Sequence, residues 1–141
     1  MNQPRIIDGK DLIVGRLCTY IAKKALQGES FEIINIDQTI FTGRREQIFA
    51  RYKQARERGR THWGPYIGRS SKDLFKRSLK NMLPIKTTRG LEAMKRIKVY
   101  KGVPERFKDV EKETLKLADI SKVPNLKYIK LEELTKFLGG K

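Results

Sequence analysis

Apolar positions along the chain fall into blocks whose spacing changes, and the changes predict elements. Arg5-Ile6-Ile7-Asp8 is a short apolar run that stops at Asp8-Gly9, the signature of a strand entering a turn. Val14, Leu17, Cys18, Ile21, Ala22 and Ala25 then recur every three or four residues, with Arg16, Thr19, Lys23 and Lys24 between them. That spacing predicts an amphipathic helix stopped by Gly28. Phe31 to Asp37 is apolar through its centre and rich in β-branched Ile, as a buried strand is. Two strands flanking one helix predict a right-handed crossover and a parallel sheet.

The following stretch alternates helices with loops. A helix is expected from about Arg44 to Arg58, with Ile48, Tyr52 and Ala55 on one stripe. Gly59 to Ser70 has no periodicity and reads as a loop. Ser70 or Ser71 can cap the next helix, which carries Asp73 near its positive end and turns Leu74, Phe75, Leu79 and Met82 inward until Pro84. Thr87 or Thr88 can cap a short helix bearing Leu91, Met94 and Ile97, before a third strand at Lys98-Val99-Tyr100. Residues 103–124 read as a connecting excursion. Tyr128-Ile129 suit an extended lead-in to a closing amphipathic helix with Leu131, Leu134, Phe137 and Leu138. No internal repeat or low-complexity segment interrupts the pattern.

Composition bounds the picture. The 141 residues make one core, and 38 of them are Leu, Ile, Val or Phe, enough for the chain to fold. The surface is unusual: 32 Lys and Arg against 16 Asp and Glu leave a net charge of +16. Such an excess repels itself unless a polyanion offsets it, which points to nucleic acid, with an anionic membrane face as the lesser alternative. The charge is also unevenly placed. Residues 1–43 hold 5 basic and 5 acidic side chains, residues 44–101 hold 18 and 4, and residues 102–141 hold 9 and 7. A neutral part joined to a strongly basic middle predicts a scaffold that presents one binding surface.

Several chemistries fail on the residues available. One Cys and one His cannot make a structural zinc site or a disulfide framework, so no metal is expected. The amino terminus lacks a signal-peptide run and no segment reaches the length of a membrane span, so a soluble intracellular chain is expected. Gly9-Lys10 invites a phosphate-loop reading, but Lys10 is followed by Asp11 and not by Ser or Thr. Asp37 stands where a ribose-binding acid would, yet Gly9 and Gly15 do not form the dinucleotide turn. His62 has no acid nearby in sequence to orient it, and Cys18 lies on the apolar helical face as a structural thiol. Catalytic residues, cofactors and a small-molecule substrate are therefore not expected.

The strongest local signal is Gly59-Arg60-Thr61-His62-Trp63-Gly64-Pro65-Tyr66-Ile67-Gly68-Arg69. Guanidinium groups reach phosphates, flat rings stack on unpaired bases, and glycines let backbone approach RNA closely. Trp63 and Tyr66 could equally pack back on the core.

Leu79-Lys80-Asn81-Met82-Leu83-Pro84-Ile85-Lys86-Thr87-Thr88-Arg89-Gly90, continuing to Lys95-Arg96-Ile97-Lys98-Val99-Tyr100-Lys101-Gly102-Val103-Pro104, closely resembles the signature of the universal L-thirteen family of large-subunit ribosomal proteins. Ile7-Asp8-Gly9 with Val14-Gly15-Arg16-Leu17 resembles that family's opening. Ile34-Asn35-Ile36-Asp37 followed by Phe41-Thr42-Gly43-Arg44 resembles its second strand and turn. The resemblance covers roughly residues 5–107, with a short link between first helix and second strand similar to the archaeal or eukaryotic form. It departs at Asn81, where the family commonly has Gly.

The resemblance implies an α/β fold in three layers, α/β/α, around a small, mainly parallel central sheet with basic helices. It further implies a structural constituent of the large ribosomal subunit that binds large-subunit ribosomal RNA and supports its assembly, without catalysis; contacts with neighbouring ribosomal proteins are expected, and neither a homo-oligomer nor a membrane contact is. Residues 1–107 are expected to form the RNA-binding domain, and residues 108–141 an extension outside the RNA surface, so changes at Lys127 and Lys136 should matter little. The residues expected to contact RNA are Arg16; Arg44, Arg45, Arg51, Lys53, Arg56 and Arg58 on the first basic helix; Arg60, His62, Trp63, Tyr66 and Arg69 in the loop; Lys72, Lys76, Arg77 and Lys80 on the next helix; and Lys86, Arg89, Lys95, Arg96 and Lys98 beyond it. The alternatives are a nucleotide-dependent enzyme on a Rossmann-like fold and a non-ribosomal RNA chaperone or regulator.

Overall fold

A computed structural model describes residues 3–140. The first strand β1 (Arg5–Asp8) leads into helix α1 (Val14–Leu26) and strand β2 (Phe31–Ile34), and β1 and β2 pair in parallel, Arg5 opposite Phe31. Strand β4 (Ile97–Val99) pairs in parallel with the other edge of β2, giving the order β1-β2-β4. Every residue of the central strand is buried, which is why its sequence runs apolar instead of alternating. Its one charged residue, Glu32, keeps its carboxylate beside Lys98 at 3.7 Å and Arg106 at 3.2 Å. The fold is mixed α/β, with helices packed on this sheet.

The predicted face of α1 is the buried one: Val14, Leu17, Cys18, Ile21, Ala22 and Ala25 all point into the core. The same buried cluster takes in Leu74, Phe75 and Leu79 of helix α3 (Ser71–Lys80) and Ala93 of helix α4 (Thr88–Lys95), the two helices that α1 meets. Burial pushes the Cys18 thiol up to about 12.

Four expectations need correction. Strand β2 ends at Ile34 and not at Asp37, because Asn35 takes a left-handed conformation (φ 53°) and residues Ile36–Gln38 form a turn of 3₁₀ helix. Met82 is 40% exposed, since α3 ends at Lys80 and helical periodicity no longer applies; Leu83 fills the buried position. Helix α4 buries Gly90 and Ala93 and leaves Leu91 exposed. A β-carbon at Gly90 would lie 2.1 Å from the Pro84 carbonyl oxygen, so glycine sets how closely this helix and the preceding turn approach. Ile97 belongs to β4, which starts one residue earlier than its apolar run suggested, while the Tyr100 amide still donates to Ile33 at 2.8 Å.

Caps fall where the sequence offers them. Ser70 accepts from the Asp73 amide and Thr87 from the Gly90 amide. Asn81 has ordinary right-handed helical angles (φ −70°), so the position places no demand for glycine on the backbone.

The carboxy-terminal third returns to the sheet. Glu113 exchanges backbone bonds with the free edge of β1, accepting from Asp8 at 3.0 Å and donating to Ile6 at 2.9 Å. Strand β3 (Ile40–Thr42) pairs antiparallel with strand β5 (Tyr128–Lys130), which runs into helix α5 (Leu131–Phe137). Ile129, Leu131, Leu134 and Leu138 are buried with the residues of α1 and α3.

Candidate nucleic-acid interface

Helix α2 (Arg45–Glu57) follows β3 and buries no residue fully. It is held from one side by rings: Phe49 stacks on Phe137 of α5 with centroids 4.3 Å apart and planes at 6°, and Tyr52 meets Phe41 of β3 at 5.9 Å. Ile48 and Ala55 are half-buried, so the predicted stripe is the docked face and its arginines lie around the remainder.

The loop after α2 folds on itself. Gly59 has φ 96°, and a β-carbon there would sit 1.8 Å from the Gly64 carbonyl oxygen, so only glycine lets the two ends of the turn meet. The Arg60 carbonyl accepts from the amides of Trp63 and Gly64 at 3.1 and 3.2 Å. This turn carries its rings outward: Trp63 is 85% exposed and Tyr66 75%, with the Tyr66 hydroxyl donating to the Thr61 carbonyl at 2.7 Å. Neither ring packs on the core. Tyr66 shares a surface hollow of about 300 Å³ with Lys76, Arg77 and Lys80 of α3, which puts a flat ring beside three cations.

Of the expected RNA-contact residues, all are exposed except Arg56 and Arg96, which are half-buried. These two, with Arg89, have an intramolecular task. Arg56 donates to the Leu138 carbonyl at 2.6 Å, Arg96 to Ala25 at 3.2 Å and Arg89 to Leu26 at 3.3 Å. Each covers the carbonyl end of a helix, where a cation is favoured. Arg45 pairs with Glu133 at 3.5 Å and lies over the Phe49 ring at 5.1 Å; Lys53 pairs with Glu57 at 4.0 Å and Lys98 with Glu32. Arg16 reaches the Leu117 carbonyl at 3.5 Å. Among the described residues, Arg44, Arg51, Arg58, Arg60, Arg69, Lys72, Lys76, Arg77, Lys80, Lys86 and Lys95 make no ion pair. Arg44, Arg51 and Arg58 belong to the α2 segment, the others to the loop, α3 and the α4 region. Lys127, expected from the sequence to lie outside the RNA surface, is brought beside Arg44 by the β3–β5 pairing.

The features that suggested nucleotide chemistry are occupied otherwise. Asp8 accepts from the Lys10 amide at 3.0 Å and the Asn35 side chain at 2.9 Å, and Asp37 accepts from the Gly102 amide at 3.0 Å. A β-carbon on Gly9 would come within 3.0 Å of the Ile34 carbonyl oxygen and 2.9 Å of Thr39, so this glycine serves strand packing. No group of three or more metal-ligating side chains occurs among the described residues, and none of their helices is long and apolar enough to cross a membrane.

If the exposed rings stack on bases, replacing Trp63 or Tyr66 by Leu should cost about 1 to 3 kcal/mol of RNA affinity and leave the thermal midpoint of the free protein unchanged. Titration calorimetry and thermal unfolding of the same variants check this. Unaltered affinity in both would remove the rings from the interface.

Comparison with known proteins gives one family. The family model described as ribosomal protein L13 matches residues 2–106. The large ribosomal subunit protein uL13 of Methanosarcina barkeri is 40% identical over 137 residues, covering 96% of this chain and 98% of that protein. Its counterpart in Archaeoglobus fulgidus is 38% identical over 135 residues, covering 95% and 86%. That of Picrophilus torridus is 40% identical over 133 residues, covering 94% and 95%.

Proposed function

Because the chain belongs to the ribosomal protein L13 family, we propose that its unpaired cations and the outward rings of residues 59–69 form the face that binds large-subunit ribosomal RNA. The protein is a structural constituent of the large ribosomal subunit and not an enzyme, and its place is the cytoplasmic ribosome. The observation that carries the RNA-binding face is the charge partition: 18 basic against 4 acidic side chains in residues 44–101, most of the basic ones exposed and without a carboxylate partner. A solvated basic surface would be interleaved with acids, whereas a surface made to meet phosphate needs its cations unspent.

In this reading Trp63 and Tyr66 take unpaired bases, while the cations of α2, α3 and the α4 region take the backbone. Residues 1–107 supply most of the RNA face, and residues 108–141 close the fold and meet neighbouring ribosomal proteins. One copy acts per subunit, without homo-oligomer, cofactor or small-molecule substrate.

The deciding measurement is sedimentation of ribosomes from cells carrying a tagged chain. Stoichiometric appearance in the large-subunit peak, resistant to washing at moderate salt, is expected. Trace, substoichiometric association would favour an RNA chaperone or regulator of the same fold.

A further inference from the structure

We propose that the groove between the start of α1, the β3–α2 turn and residues 123–127 is a pocket for one unpaired nucleotide of RNA; this deepens, and rests on, the RNA-binding reading above. The groove has a volume of about 450 Å³, and Arg16, Arg44 and Lys127 line it without any carboxylate. Cavities of roughly 300 to 1,000 Å³ hold small ligands, so the space suits a nucleotide and excludes a duplex. Three cations around one hollow repel each other until an anion sits between them.

The rest of the lining matches the other parts of a nucleotide. Val123 and Pro124 give apolar surface for the flat face of a base. Gln47 and Asn125 add side-chain amides to the lining, each with donors and an acceptor that can meet the edge of a base. The frame is fixed by backbone: the Gly43 amide donates to the Lys127 carbonyl at 2.8 Å, and Gly43 itself has φ 132°. Arg44 and Lys127 also line an adjoining hollow of about 310 Å³ with Arg45 and Tyr128, where three cations outnumber the single carboxylate of Glu46, so a strand leaving the pocket has a further surface to follow. Ile13 and Arg44 are the N-cap residues of α1 and α2, and neither helix has a side-chain cap. Their first-turn amides add positive potential to the same hollow.

The three cations come from three separate stretches of sequence, two of them nearly neutral overall, so no run of charge announces the site. Lys127 accordingly leaves the set of residues expected to be inert.

The test uses the full chain, isotopically labelled, with a mixed-sequence single-stranded oligoribonucleotide, an RNA duplex of equal length and inorganic phosphate as probes. Amide resonances of Gly43, Gln47 and Asn125 report the pocket, and the Trp63 indole reports the loop. The single strand should shift the pocket resonances, and the duplex should not. Lys127→Gln should weaken that response about three- to tenfold, and Lys136→Gln should leave it alone. Lys127 is exposed, so its replacement spares the fold. Shifts at Trp63 with none at Gly43, Gln47 and Asn125 would overturn the pocket while keeping the RNA-binding face. No response to any RNA would overturn the face itself. Equal shifts with inorganic phosphate at matched phosphate concentration would reduce the groove to a simple anion site. Protection of Gly43 on assembly into subunits, without any response to RNA, would assign the groove to a neighbouring protein; both outcomes overturn the proposal.

Discussion

Raising salt from about 50 to about 200 mM should weaken the grip of this protein on large-subunit RNA by roughly a thousandfold or more, given about 6 to 10 phosphates neutralised and the counter-ion slope of duplex DNA. The structure supplies enough groups for that number, because eleven of the cations in residues 44–101 named above carry no ion pair among the described residues. Fluorescence anisotropy across a salt series measures the slope. Combined Arg44→Gln, Arg51→Gln and Arg58→Gln substitutions should flatten it, and Arg45→Gln should contribute less, since Arg45 already faces Glu133 at 3.5 Å. Lys136 serves as the control: it pairs with Glu132 at 2.7 Å and should leave the slope in place when replaced. An affinity indifferent to salt would mean that phosphate contacts are not what holds the RNA. Arg56, Arg89 and Arg96 make poor test positions, because their replacement uncovers helix carbonyls and mixes lost stability with lost binding.

Removing residues 108–141 should abolish cooperative folding, although this stretch carries none of the motif that marks the family. Ile129, Leu131, Leu134 and Leu138 are buried in the common core, and each such side chain contributes about 1.5 to 3 kcal/mol. Losing four of them approaches the whole stability of a small domain, about 5 to 15 kcal/mol. The truncation also strips β3 of its partner, frees the edge of β1 from Glu113 and removes Phe137 from Phe49. Circular dichroism during heating compares the two chains: a sigmoidal transition for the full protein and a featureless drift for residues 1–107 are expected. A cooperative transition within a few degrees of the full chain would show that the shorter piece folds alone.

The contrast between these two regions shows what was legible in the sequence. Strand β1 and helix α1 could be read because six apolar residues at helical spacing have one face to bury, and that face is the one buried. Strand β3 could not, since three residues hold too little alternation to mark a strand and its partner β5 lies far along the chain. Tyr128-Ile129 and the closing helix were visible as local pattern, but their attachment to β3 was not. For the proposed binding face, the segment of excess charge was plain from counting, and the exposure of Trp63 and Tyr66 had to be seen. The duties of individual arginines were hidden for a different reason. No local pattern separates a guanidinium that covers the end of α1 from residue 96 from one left free for phosphate, because its partner carbonyl lies 71 residues away in the chain.

The buried thiol of Cys18 has a consequence of its own. It is the only cysteine, is fully shielded and ionises only at about 12, so an alkylating reagent meets no thiolate while the chain is folded. Labelling at this atom therefore proceeds through opened molecules, and its rate at neutral pH is a clock for how often the core comes apart. Above about pH 9 an exposed thiol sheds its proton while Cys18 holds on to it until about 12. Alkali thus draws the equilibrium toward the opened chain and makes the clock run faster. Because the atom is buried in the core beneath α3 and is no part of the exposed basic surface, the same clock can be read with RNA present, and its slowing would measure in one number how much the polyanion lends to the fold.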